Sequence, residues 1–306
     1  MRKIFSTKNR IPMLALSLLL FLAPLSGCVN TDSKTSAKKE NDKDQAIQLK
    51  EKLEQLENES GAQIGVYALD TETNQTLEHR SDERFAYAST FKVLAAAILL
   101  KQHDVKSLEK IITYTKEDLV THSPVSEKHV DTGLTLLELS EAAIRKSDNT
   151  AANLMLEAIG GPEKFEAELR ELGDDTTVSK RFETELNEYA PGQDQDTSTP
   201  KAMAENLKKV AIDDYLPKDK QEWLNDWMSG NATGDTLIRA GAPEGWIVED
   251  KSGAASYGTR NDIAVVRPPD RKPIIIAIMS KQDKEDAEYE DALIAEAAKI
   301  TLDTFK

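Results

Sequence analysis

The run Ala86-Tyr87-Ala88-Ser89-Thr90-Phe91-Lys92-Val93-Leu94-Ala95-Ala96-Ala97-Ile98-Leu99-Leu100 leaves this chain few ways to fold. From Val93 onward it is apolar on every side of a helical wheel, and such a helix must be surrounded by other elements rather than lie on a surface. The domain therefore has to pack around it, with Ser89 at its N-terminal end. An i, i+3 spacing puts Ser89 and Lys92 on one face, with the amine in hydrogen-bond reach of the hydroxyl. An ammonium buried there needs polar partners or a lowered pKa, and either suits a base or a proton relay. Free N–H groups at the helix start favour an oxyanion forming beside Ser89.

Ser-x-x-Lys occurs four times in the chain, at Ser36, Ser89, Ser107 and Ser198, and only the copy at Ser89 heads an apolar helix. The motif alone does not make Ser89 a nucleophile; its partners elsewhere in the chain have to do so.

Residues 1–27 carry Arg2, Lys3, Lys8 and Arg10, no acids, and an apolar segment from Ile11 to Leu25, the pattern of an export signal. The segment ends Leu25-Ser26-Gly27-Cys28, and Cys28 is the only cysteine, so no intramolecular disulfide can form. Residues 28–46 are polar and charged, the composition of a flexible tether. Removing the export segment takes the formal charge from −15 to −19, which argues against a nucleic-acid partner and against an anionic membrane surface as a direct partner. The remaining 47–306 is long enough for one large domain or two intimately packed lobes.

An amphipathic helix is expected over Gln45–Leu56 with Ile47, Leu49, Leu53 and Leu56 on one side, followed by a hairpin over 63–70 and 76–80. Thr135-Leu136-Leu137-Glu138 is a capping box, Gly160-Gly161-Pro162 a helix stop, and Thr199-Pro200 a helix start. Between 174 and 198 lies a long tract without helical period, and loops of that length in compact domains usually serve function. Strands return at 246–251, 261–267 and 273–280, before a last helix over about 286–305. The expected class is α+β: an antiparallel sheet built from both chain ends (47–85 and 246–306), flanked by helices, with an inserted all-helical lobe (86–245).

After Ser89 the chain carries Ser147-Asp148-Asn149, then Arg181-x-Glu183-x-x-x-Asn187, then Lys251-Ser252-Gly253. In that order these boxes resemble the penicillin-recognising serine acyltransferases, and with Glu183 and Asn187 between them the chain resembles a class A β-lactamase over about residues 45–306. The end of the export segment likewise resembles a lipobox, implying a lipid on Cys28 and anchoring to the outer face of a bacterial membrane. The resemblance implies that Ser89 attacks the lactam, the N–H groups of Ser89 and Ala254 hold the oxyanion, and Ser147, beside Lys92 and Lys251, hands a proton to the departing nitrogen. It implies that Glu183, with Asn187, activates the deacylating water. Arg181 is expected to pair with an acid that fixes the loop, taken as Asp196, rather than to touch substrate. Asn149 would bind the substrate's side-chain amide, and Lys251, Ser252, Gly253 and Arg260 its ring carboxylate. His122 stands at the cleft mouth where the family more often has Tyr or Trp. Whether Lys92 or Glu183 deprotonates Ser89 stays open.

The four histidines show no metal-ligand spacing, so no metal or other cofactor is expected. The chain is expected to act as a monomer on penicillins. A D-alanyl-D-alanine peptidase or a penicillin sensor would share three boxes, but neither needs Glu183 and Asn187 in this setting.

Overall fold

The computed structural model describes the backbone of residues 31–306 and the side chains of 44–306; the export segment 1–27 and Cys28 lie outside the described residues. Five strands form one antiparallel sheet: β1 (Gln63–Asp70), β2 (Thr76–His79), β3 (Ile247–Ala255), β4 (Thr259–Arg267) and β5 (Ile274–Lys281), in the order β2-β1-β5-β4-β3. The N-terminal hairpin joins the C-terminal meander where β1 pairs with β5, Val66 opposite Ile278. The sheet is thus built from both ends of the chain.

β5 explains its own composition. Its Ile275, Ala277 and Met279 point into the core formed by the central helix, whereas Ile274, Ile276 and Ile278 point into a second core beneath the terminal helices. A strand buried on both faces reads as a continuous apolar run rather than an alternation. Each such isoleucine contributes about 1.5–3 kcal/mol by leaving water.

α1 (Thr31–Ser60) starts inside the stretch whose composition predicts a tether; that stretch holds no Gly or Pro to interrupt a helical backbone. Leu49 and Leu53 are buried and Leu56 packs against them, but Ile47 is exposed. At 100° per residue Ile47 stands across the helix from Leu49, so it does not belong to the apolar face.

The central helix, α2 (Phe91–Gln102), is buried from Phe91 to Leu100. Around it lie α3 (Leu136–Arg145), opened by the Thr135–Glu138 capping box, α4 (Asn149–Ile159), stopped by left-handed Gly160, α5 (Pro162–Glu171), α6 (Pro200–Ala211) and α7 (Lys218–Ser229). α6 lies against β1, β4 and β5, closing the sheet face that α2 faces. A last helix, α8 (Asp291–Asp303), covers the other face. β3 runs on past Lys251 to Ala255, further than the sequence pattern shows, because its pairing with β4 continues to Ala255 opposite Thr259. Among the described residues, no helix is long and apolar enough to cross a membrane.

Candidate active site

Ser89 sits in a single 3-10 turn, Ala88–Thr90, that runs straight into α2. Side chain and sheet both hold that turn. Asn261 Nδ2, on β4, donates to Ala86 O at 2.7 Å and Tyr87 O at 3.2 Å, and Thr90 Oγ1 donates to Tyr87 O at 2.6 Å. Ala88 adopts φ +47°, a left-handed backbone unusual for a residue with a Cβ. On the other side β3 comes flush against the turn. A Cβ on Gly253 would stand 3.1 Å from Ser89 N and 3.0 Å from Ala88 Cβ, tighter than ordinary contact, so glycine lets the strand approach without displacing the turn. Ala254, the next residue of β3, lines the same cleft of about 530 Å³ as Ser89, Ser147 and Asn187.

Beneath Ser89 lies a fully buried charge centre. Lys92 Nζ donates to Ser147 O at 2.9 Å, Asn149 Oδ1 at 2.6 Å and Ser147 Oγ at 3.4 Å, and makes an ion pair with Glu183 Oε1 at 3.1 Å. Burial lowers the Lys92 pKa, opposed by the Glu183 charge. The hydroxyl of Ser89 donates to the same Glu183 Oε1 at 3.2 Å. The helical spacing predicts direct contact between Lys92 and Ser89; instead they meet on one carboxylate oxygen, because the amine reaches past the turn to Ser147 and Asn149. Lys251 Nζ approaches Ser147 Oγ from the opposite side at 3.2 Å and donates to Ser252 O at 2.8 Å. Burial, reinforced by the Lys92 charge, pushes the Lys251 amine down to about 7. Ser147 therefore stands between two ammonium groups, held there by a left-handed backbone at φ +54°.

The tract 174–198 delivers Glu183. At its far end Arg181 Nε pairs with buried Asp196 Oδ2 at 2.6 Å, as the sequence suggests, and Asp196 Oδ1 also accepts from Tyr87 OH, Lys180 N and Arg181 N. At its near end Asn153, on α4, grips the Glu183 backbone twice: Oδ1 accepts from Glu183 N and Nδ2 donates to Glu183 O, both at 2.8 Å. Asn187 Nδ2 donates to Glu183 Oε2 at 2.6 Å, while Asn187 Oδ1 is buried with no protein donor.

Several residues differ from what their types suggest. Asn149 lines the cleft, yet its Oδ1 is taken by Lys92 and one N–H by Thr121 O at 2.8 Å, which leaves one N–H for a ligand. Asp148 caps α4 at Ala151 N and draws in Val125 N, Ser126 N and Ser126 Oγ, each within 2.9 Å, so it assembles the loop behind Asn149. Arg260 is not a free cation: its Nε pairs with Asp291 Oδ1 at 2.7 Å and Tyr289 covers its guanidinium at 4.8 Å. Ser252 Oγ shares a 2.6 Å hydrogen bond with Thr233 Oγ1. His122 lines the cleft at φ +63°, its ring Nε2 3.1 Å from Lys146 O. Asn153 and Asn261 escape a reading of motifs. Their one signal is a polar residue beside the apolar residues of a helix or at the head of an apolar strand.

A hydroxyl that gives its proton to a carboxylate, with a second hydroxyl held between two amines, suits one chemistry: an acyl group taken by serine and released to water. Fold and centre together define a serine hydrolase of the acyl-enzyme kind. Residues 48–305 match the β-lactamase enzyme family. The chain is 58% identical to a β-lactamase of Bacillus amyloliquefaciens over 267 residues, 87% of each chain, and 50% identical to a β-lactamase of Bacillus licheniformis over 300 residues, 98% of this chain and 97% of that one. A class A β-lactamase structure from Clostridium kluyveri superposes with a TM-score of 0.84 at 52% identity, covering 85% of this chain and 99% of that one. A halotolerant bacterial β-lactamase gives 0.82 at 51% identity, covering 83% and 99%. The chain belongs to the β-lactamase family, as a class A serine enzyme that hydrolyses β-lactams and so confers resistance to them.

Proposed function

We propose that the reaction runs through the following residues, with penicillins as the substrates. Glu183 Oε1 accepts the Ser89 proton as Oγ attacks the lactam carbonyl, and the N–H groups of Ser89 and Ala254 stabilise the oxyanion. Lys92 passes a proton to Ser147 Oγ, Ser147 gives its own to the departing ring nitrogen, and Glu183 returns the first proton to Lys92. Glu183 is then a carboxylate again, ready to draw a proton from water that attacks the ester. The buried acceptor at Asn187 Oδ1 suits the other hydrogen of that water. Lys251, Ser252, Gly253 and Arg260 receive the ring carboxylate, Asn149 the side-chain amide through its remaining N–H, and His122 flanks the cleft mouth. Arg260 contributes direction more than charge, since Asp291 offsets it.

The observation that carries this reading is the single oxygen of Glu183 that holds both Ser89 and Lys92. The test is benzylpenicillin turnover by the parent and by Glu183→Gln, with acyl-enzyme trapped for mass spectrometry. Sustained turnover is expected from the parent, and from the variant a kcat about 10³-fold lower with acyl-enzyme accumulating on Ser89, because Lys92, whose pKa falls further without the Glu183 charge, can still take the Ser89 proton while nothing replaces the base that activates water. A parent that stops after one turnover would support the peptidase or sensor instead.

The sequence of residues 1–28 further supports export, cleavage before Cys28 and a lipid on that cysteine, which would hold the domain on the outer face of the membrane. Metabolic labelling with a radioactive fatty acid, lost in Cys28→Ala, is the expected result.

A further inference from the structure

Ser256 follows the last residue of β3 and hydrogen-bonds the loop that carries Asn187. Its backbone N–H donates to Asn187 O at 3.1 Å, and its hydroxyl is shared between Asn187 O at 3.1 Å and Tyr189 O at 3.0 Å. Arg181 donates to the carbonyl between them, Glu188 O, at 3.1 Å. Three consecutive carbonyls of the loop are thus pinned, two of them by one serine. Tyr189 is buried and meets Tyr257 edge-on at 5.8 Å, which closes the seam beside the latch.

The position matters because Asn187 Nδ2 fixes the second oxygen of Glu183 and Asn187 Oδ1 stands buried without a protein donor. A shift of the Asn187 backbone moves both. We infer that Ser256 is a positioning residue for deacylation: through Asn187 it sets the angle of the Glu183 carboxylate and the acceptor for the attacking water. The inference rests on the reading of Glu183 as the base for hydrolysis. Acylation uses Glu183 Oε1, which Ser89 and Lys92 hold directly, whereas deacylation also needs Oε2 and the water acceptor at Asn187 Oδ1, the two atoms that Ser256 reaches through Asn187, so the two half-reactions respond differently.

Ser256→Ala removes the hydroxyl and keeps the backbone bond, so the loop loses its fine alignment while the fold stays. The expected result with benzylpenicillin is a deacylation rate about tenfold lower, in line with the sensitivity of such steps to small displacements. Acyl-enzyme accumulates, and kcat and KM fall together so that kcat/KM is unchanged. Ser256→Thr, which keeps a hydroxyl, restores the deacylation rate. Equal losses in acylation and deacylation, or parental deacylation in Ser256→Ala, would overturn the inference. Glu183→Gln is measured alongside. If it is impaired while Ser256→Ala is not, the latch alone fails; if Glu183→Gln deacylates normally, the base assignment fails and the latch with it.

Discussion

The centre of the sheet and the loop 174–198 are held by opposite means. β5 is buried on both faces by aliphatic side chains, and nothing about it depends on one contact. The loop has little apolar packing apart from Phe182, Leu186 and Tyr189. It is fixed at points: Asp196 at one end, Asn153 on the Glu183 backbone, Ser256 on Asn187 and Tyr189. Apolar burial is non-directional and tolerates small shifts, so it suits a scaffold. Hydrogen bonds weaken within a few tenths of an ångström, so they suit a carboxylate that holds a hydroxyl and an ammonium on one oxygen. The sheet should therefore govern stability, and the loop the rate.

Three measurements can break that division. Ile276→Ala opens a cavity between sheet and terminal helices and should cost about 2–5 kcal/mol in urea unfolding, while the folded fraction keeps the parental kcat. A parallel fall in kcat would mean that the sheet tunes the site. Asp196→Asn keeps the shape of its side chain but removes the charge that holds Arg181, and kcat should drop about tenfold through slower deacylation. The division fails here if the variant loses stability without losing rate.

The smallest effect comes from pH. With Lys251 titrating at about 7 in the free enzyme, kcat/KM should fall about fivefold from pH 7 to 8 as the cation that meets the substrate carboxylate is lost. Its folded pKa lies below the value of about 10.5 for the unfolded chain, so the native state binds fewer protons between those values. The Lys251 contribution to stability therefore rises with pH over the window in which activity declines. A flat kcat/KM profile from pH 6.5 to 8.5 would show that Lys251 is charged throughout.

Much of this was legible because it is local or compositional. The run after Ser89 reads as a central helix, Thr135–Glu138 as a cap and 273–280 as a strand, whose burial on both faces the fold then supplies. The four boxes mark the candidate catalytic groups through their resemblance to the class A pattern, and a long loop that needs an anchor suggests an acid partner for Arg181. What stayed hidden involves residues far apart in sequence: Asn261 on the turn before Ser89, Asn153 under Glu183, Asp291 against Arg260, Ser256 on the loop. No periodicity records a hydrogen bond between a strand and a loop 69 residues away.

The sequence by itself determined the elements and the buried helix, since these follow from hydrophobic period and residue type, and the order of its boxes marked the candidate reacting side chains by resemblance. Only the tertiary structure decided which atoms meet. Ser89 and Lys92 share a helix face yet touch through Glu183, and Asn149 turns its carbonyl to a lysine rather than to the cleft. Burial forces each ammonium to the nearest acceptor, and where that acceptor lies is set by how the loops close around α2.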